Sequence, residues 1–210
     1  MSEIIRSRTT SGLAPWIDAL TDLCGTVDPL EASSFAGQIS YTTVSRLKLC
    51  RMELSQLRIA HTVWRAKLSK YAYVKILFQT HGVSYFEQDG RQIELIPGDS
   101  LTYDASCPHT STSQAFTRHE VVIVPKELLL ERGFCSQRMS ACKLSARTGI
   151  GRIAYNFMHS VFDEATKLSA NGAVGVADSL LDLLLLPFRE VDTMLHCVGP
   201  EARSTFERSP

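Results

Sequence analysis

The segment from Gly82 to His109, GVSYFEQDGRQIELIPGDSLTYDASCPH, places the tightest limits on the fold. Val83 and Tyr85 alternate with Ser84 and Phe86, so successive side chains take opposite faces of a strand. Asp89-Gly90 is the two-residue turn that best joins antiparallel strands, because Gly accepts positive φ and the primed turn follows the strand twist. Beyond it Gln92 and Glu94 alternate with Ile93 and Leu95, and Pro97-Gly98-Asp99 forms a second tight turn. Ser100 to Asp104 reads as a third strand, which Cys107-Pro108-His109 leaves. Short strands at this spacing predict a small β-barrel or jelly roll.

The rest of the chain must be built around that unit. At 210 residues there is room for one large domain, or for one domain with an appendage. A hydrophobic content of 44% supplies a core. The 22 basic and 22 acidic residues cancel, whereas a free-standing nucleic-acid binder carries a basic excess. Six cysteines, at 24, 50, 107, 135, 142 and 197, form no CxxC, and the N-terminus lacks a secretory pattern, which predicts reduced thiols in a cytoplasm. The apolar run from Leu180 to Phe188 contains Asp182 and is too short to span a bilayer.

Residues 1–12 read as a flexible terminus. Leu13, Trp16, Ile17, Leu20 and Leu23 repeat at helical spacing, with Pro15 in the first turn and a stop near Gly25. Trp16 is expected to anchor this helix on the barrel. Phe35 to Thr43, Arg46 to Leu57, Arg58 to Leu68 and Tyr71 to Thr80 read as strands, the last being the most β-prone. Their basic residues, such as Lys48, Arg51 and Lys75, suit either a solvated outer face or a cationic lining for an anionic ligand. Arg118 to Val124 is a strand closed by Pro125, and Lys126 to Arg132 a short helix. Two apolar helices follow, Gly149 to Leu168 and Val174 to Phe188, joined by a turn at Asn171-Gly172 and stopped by Pro187. The tail from Val191 to Pro210 reads as irregular. The expected division is therefore 1–12, 13–134 for helix and barrel, 135–190 for the helices, and 191–210 for the tail.

Catalytic motifs are missing: there is no GxSxG, P-loop or GxGxxG. No HxH occurs, and the six histidines are dispersed, so a metal site from His61, His81 and His109 would need convergence in space. Cys107 beside His109 is too weak a pairing to imply a nucleophile. The expectation is no catalytic residue, no metal and no cofactor.

Taken in order, Gly90-Arg91, Leu95-Ile96-Pro97-Gly98-Asp99, Pro108-His109 and Val124-Pro125 with Leu128 closely resemble the N-terminal regulatory domain of AraC/XylS-family transcription regulators, in the subgroup with an AraC-binding-like, cupin-type barrel. The resemblance covers about Leu13 to Phe188. It implies an α+β fold: a cupin-like antiparallel β-barrel (jelly roll) with an N-terminal helix and a C-terminal antiparallel helix pair. It implies a small-molecule effector in the barrel, a homodimer through the helices, and DNA binding only through a separate C-terminal helix-turn-helix domain. Only about twenty residues follow Pro187, too few for such a reader. Expected ligand contacts are Trp64, Tyr73, Lys75, Gln79, Tyr85, Tyr103 and His109, with Phe86 and Phe116 as further aromatic candidates. Which of them point inward depends on strand register. Expected dimer contacts are Ile153, Phe157, Val161, Leu180 and Leu184. Two other readings stay open here: a cupin-fold metalloenzyme with an atypical site, and a short dominant-negative partner of a full-length regulator.

Overall fold

The computed structural model describes residues 6–10, 12–31, 35–68 and 72–197. The chain begins with β1 (Arg6–Thr10), α1 (Leu13–Cys24), β2 (Asp28–Glu31), β3 (Gly37–Val44), β4 (Leu47–Leu54), β5 (Leu57–His61) and α2 (Val63–Leu68). It continues through β6 (Tyr73–His81), β7 (Ser84–Gln88), β8 (Arg91–Leu95), β9 (Asp99–Asp104), β10 (His109–Ser113), β11 (Thr117–Pro125) and α3 (Lys126–Glu131). It ends with β12 (Cys142–Ser145), α4 (Gly149–Glu164) and α5 (Ala170–Cys197). The strands form two antiparallel sheets packed as a cupin-like jelly roll. One has seven strands in the order β1-β3-β4-β11-β6-β9-β12, and the other five in the order β2-β5-β10-β7-β8.

The turns follow their local chemistry. Asp89 and Gly90 both take positive φ, 53° and 73°, as a primed hairpin turn requires. Gly82, at φ 71°, has a stronger constraint: a Cβ there would lie 2.3 Å from the Phe116 carbonyl oxygen. Gly82→Ala therefore combines left-handed strain with a backbone clash, and should lower the unfolding free energy by about 2–4 kcal/mol. An unchanged urea midpoint would refute this account of the turn.

Two cores share the seven-stranded sheet. Its inner face meets the five-stranded sheet, where Ile39, Cys50, Leu77, Leu101, Val121 and Ile123 pack with Phe86 and Leu95. The stripe Trp16, Ala19, Leu20 and Leu23 of α1 joins this core, as the helical spacing predicted. The outer face carries the alternate residues, including Leu47, Leu49, Val74, Ile76, Val122 and Val124, and is covered by α4 and α5. Strand β9, β11 from His119 to Val124, and β6 from Val74 to Gln79 are thus buried on both faces, whereas β7 alternates and exposes Tyr85 and Glu87.

Several sequence expectations need correction. Residues 6–10 pair with β3 instead of fraying. The Arg58 to Leu68 strand divides into β5 and α2, because the strand ladder with β10 stops at His61. Cys142–Ser145, placed with the helices, returns to the sheet beside β9. Asn171-Gly172 lies in the first turn of α5, which starts at Ala170 and runs through Pro187 to Cys197. Proline at 187 forfeits one backbone hydrogen bond, yet the helix continues. Residues 191–197 are thus helical, and the remainder of the expected irregular tail, 198–210, lies outside the described residues. By length and composition Ala170–Arg189 could cross a membrane, with a mean hydropathy of 1.3. Its Leu180, Leu181, Leu184 and Leu185 are instead packed in the chain's own core, and its Asp178 and Asp182 hold Arg132 at 2.8 and 2.9 Å.

Candidate functional site

Strand alternation decides what the barrel encloses. In β6, Val74, Ile76 and Phe78 face the helices, so Lys75, Leu77 and Gln79 face inward. In β9 the inward residues are Leu101 and Tyr103, and in β11 they are His119, Val121 and Ile123. The interior keeps a small cavity of about 50 Å³, walled by Trp16, Met52, Lys75, Tyr103, His109 and His119 among others. That volume is enough for a few waters. A second cavity, about 360 Å³, lies on the opposite side of the sheet between Ile76, Phe78 and the α4–α5 layer. It is larger but carries no ionisable side chain in its lining, and the Ser100 hydroxyl there already donates to the Leu144 carbonyl. The barrel interior gathers buried titratable groups, Lys75, His109 and His119, and is the candidate site.

Its imidazoles are held in defined states. His109 is stacked between Phe86 and His61, at ring-centroid distances of 5.6 and 5.4 Å, with Tyr103 at 5.1 Å. A carbonyl oxygen only accepts, so the His109 Nδ1 that lies 2.9 Å from the Cys107 carbonyl carries the proton. The same reasoning protonates Nδ1 of His61, 2.7 Å from the Thr26 carbonyl. Burial, reinforced by the nearby Lys75 charge, lowers His109 to about 3. Burial alone lowers His119 to about 4. Both rings are therefore neutral at physiological pH.

The expected ligand residues divide into three groups. Lys75, Tyr103 and His109 line the cavity. Tyr73 and Gln79 face inward but serve other contacts: Tyr73 lies under the Lys48 ammonium, 5.5 Å from its ring centroid. The Gln79 amide donates to the His81 and Gly82 carbonyls and accepts from the Ser84 hydroxyl. Trp64 and Tyr85 are outside the barrel. Trp64 is 67% exposed on α2, since the chain has left the sheet there. Tyr85 points away from the core of β7, and its hydroxyl donates to Glu94. His81 does not join His61 and His109; it is exposed and packs on Phe116. The Cys107 thiol is pushed up by burial and Asp104, opposite to what an activated nucleophile requires. His61, His119 and Trp16 were not among the expected contacts. One signal for His119 is in the sequence: His119-Glu120 interrupts an otherwise apolar strand.

Glu120 shows what that interruption does on the other face. Its side chain is 4% exposed and receives Arg51 Nε at 2.7 Å and His159 Nδ1 at 3.0 Å. Arg51 also donates to Asp163 at 2.6 Å and lies over the Phe162 ring at 4.1 Å. One strand thus carries a cavity imidazole and, on the next residue, a carboxylate tied to α4. Arg51→Met leaves Glu120 buried with a diminished partner set. Because Arg51 is partly exposed, the cost should be about 2–3 kcal/mol, below that of breaking a fully buried pair. Urea unfolding of R51M beside the R51M/E120Q double variant checks this: the double variant should recover much of the loss. Two equally unstable proteins would sink the explanation.

Among the expected dimer contacts, Val161, Leu180 and Leu184 are 4%, 0% and 4% exposed inside the chain's own core. The correction has a simple cause: the apolar face of the helices meets the outer face of the seven-stranded sheet. Phe157 is half-buried against that core, and Ile153 is exposed.

Comparison with known proteins agrees with this architecture. Solved structures with similar folds include the AraC-like transcriptional activator CuxR, at TM-score 0.75 and 14% identity over 87% of this chain and 69% of that one. The EutQ protein of Clostridium difficile matches at TM-score 0.36 and 17% identity, over 44% of this chain and 64% of that one. An RmlC-like cupin from Shewanella frigidimarina matches at TM-score 0.36 and 11% identity, over 47% and 84%. A family model described as the AraC-binding-like domain matches residues 18–186, from within α1 to within α5. The jelly roll, the helical layer behind it and that match together place the chain in the AraC-binding-like domain family.

Proposed function

We propose that this chain is the effector-sensing and dimerisation domain of an AraC-type transcription regulator, acting in the cytoplasm by recognition and not by catalysis. The observation that carries the reading is the set of buried ionisable side chains, Lys75, His109 and His119, gathered around one cavity in the barrel interior. Such groups are costly to bury and concentrate where something is bound. Effector binding would bias the arrangement of α4 through Glu120 and Arg51 and so control transcription in a complete regulator that carries its own DNA reader. Cys107, Cys135 and Cys142 are free thiols, which supports a reducing compartment. The apolar residues left outside the core on the helices, Ile153 and Val174, at 58% and 50% exposed, support a homodimer contact there.

A thermal-shift screen of small polar and aromatic compounds tests the sensor, because a ligand that binds only the folded state raises Tm. A hit must lose its effect when His109 is replaced by Phe. Hits indifferent to His109 would move the site elsewhere. Sedimentation at tens of micromolar tests the dimer, with Ile153→Glu expected to give monomer.

A further inference from the structure

Two buried side-chain polar atoms among the described residues have no hydrogen-bond partner: Nε2 of His61 and Nε1 of Trp16. Both belong to the barrel interior. Trp16 lines the cavity directly, and His61 stacks on His109, which does the same. Their residues are 3% and 2% exposed, so bulk water does not satisfy them. An unmet polar group at such burial costs about 1–3 kcal/mol, a penalty that a ligand relieves.

The two atoms ask for opposite things. The indole N–H is a donor. The His61 Nδ1 proton is committed to the Thr26 carbonyl, so its Nε2 is a bare acceptor in the neutral ring. His109, committed in the same way to Cys107, also turns an acceptor nitrogen to its surroundings, and burial keeps it unprotonated. His119 Nε2 faces the Ser84 hydroxyl at 3.4 Å, whose own proton goes to Gln79, so Nε2 is the protonated nitrogen and Nδ1 is another acceptor.

This pattern selects a functional group. A carboxylate only accepts, and would set its lone pairs against those of the imidazoles. An ammonium only donates; it would leave Trp16 unmet and be repelled by Lys75 on the same wall. A hydroxyl does both, donating to an imidazole nitrogen and accepting from an indole or ammonium N–H. The volume of about 50 Å³ limits the occupant to a few such groups.

We propose that the barrel interior is a site for a small uncharged polyhydroxy molecule, whose hydroxyls donate to Nε2 of His61 and His109 and accept from the indole N–H of Trp16. The inference rests on the reading of the barrel as the effector site and specifies the chemical class that site takes.

The test uses the full chain, labelled with ¹⁵N, and reads the imidazole nitrogens in long-range ¹H–¹⁵N spectra. Size-matched probes are glycerol, propionate and propylammonium. Before any addition His61 and His109 should show the Nδ1–H tautomer; the Nε2–H tautomer at either would overturn the proposal. Glycerol should shift both Nε2 signals saturably, with the charged probes inert at the same concentrations. His61→Phe keeps the ring stack and removes the acceptor, and should raise the glycerol Kd about tenfold. If that variant does not fold, the wild-type tautomers and probe order decide. Saturation by propionate or propylammonium with glycerol inert overturns the ligand class and leaves the barrel site standing. No response at the barrel histidines to any of the three overturns both.

Discussion

Acidification from pH 7 to 4.5 is expected to remove about 4–5 kcal/mol of unfolding free energy, on the scale of a domain's whole stability. The source is the interior of the barrel. His109 and His119 titrate at about 3 and about 4 in the folded protein, whereas an imidazole in the unfolded chain titrates near 6.5. Between those values the unfolded state binds protons that the native state refuses. Stability therefore rises with pH across this window, by ~1.4 kcal/mol per pH unit for each ring. The contribution is complete above 6.5 and disappears as the pH falls toward the folded values. Carboxylates act in another range. Asp28, Asp104 and Asp163 are held below their ordinary value of 3.8, so their stabilisation is intact above it and is lost only in stronger acid. Urea midpoints taken in half-unit steps from pH 7 to 4.5 measure the slope. His119→Phe should cut it by about half, since one of the two proton acceptors is gone. A flat profile would mean that both rings are open to water, and with them the barrel.

Leu180→Ala should cost about 2–5 kcal/mol of stability, the range for a fully buried leucine whose site collapses incompletely. Leu180 is 0% exposed, between α4, α5 and the seven-stranded sheet. Ile153→Ala, at an exposed position on α4, should change stability by no more than about 0.5 kcal/mol. Paired measurements separate packing from association. Urea unfolding should register L180A and ignore I153A; sedimentation should register Ile153 substitutions at protein concentrations where L180A is still folded. A stable L180A protein that no longer associates would place that side chain at a subunit contact instead.

The barrel was legible where local chemistry decides. Asp89-Gly90 and Pro97-Gly98 fix their turns by backbone φ, and the residues around them alternate because β7 has one solvated face. Lys75, Tyr103 and His109 could be nominated because a polar or aromatic residue in a β-prone run is conspicuous. Their companion His61 entered only among dispersed metal candidates, because only the pairing of β5 with β10 brings it opposite His109. Trp64 misled because Arg58 to Leu68 has apolar residues at both strand and helix spacings, and the break at His61 comes from the end of pairing. Leu180 misled for another reason. A broad apolar stripe states that a helix must be covered, but not whether its own sheet or a second copy does the covering.

The double-faced sheet also limits how the chain can be cut. Severing it after Phe134, at the expected boundary between barrel and helices, would strip the cover from Leu47, Leu49, Ile76, Phe78, Val122 and Val124 at once. It would also remove β12, and so turn β9 into an unprotected edge. The product would carry a wide apolar plane and an open strand edge, the two features that promote aggregation. The barrel is therefore not a unit separable from the helices that cover it. Any fusion or biosensor made from it must carry the chain through α5, and should be joined beyond that helix or at the hairpin tips of the five-stranded sheet.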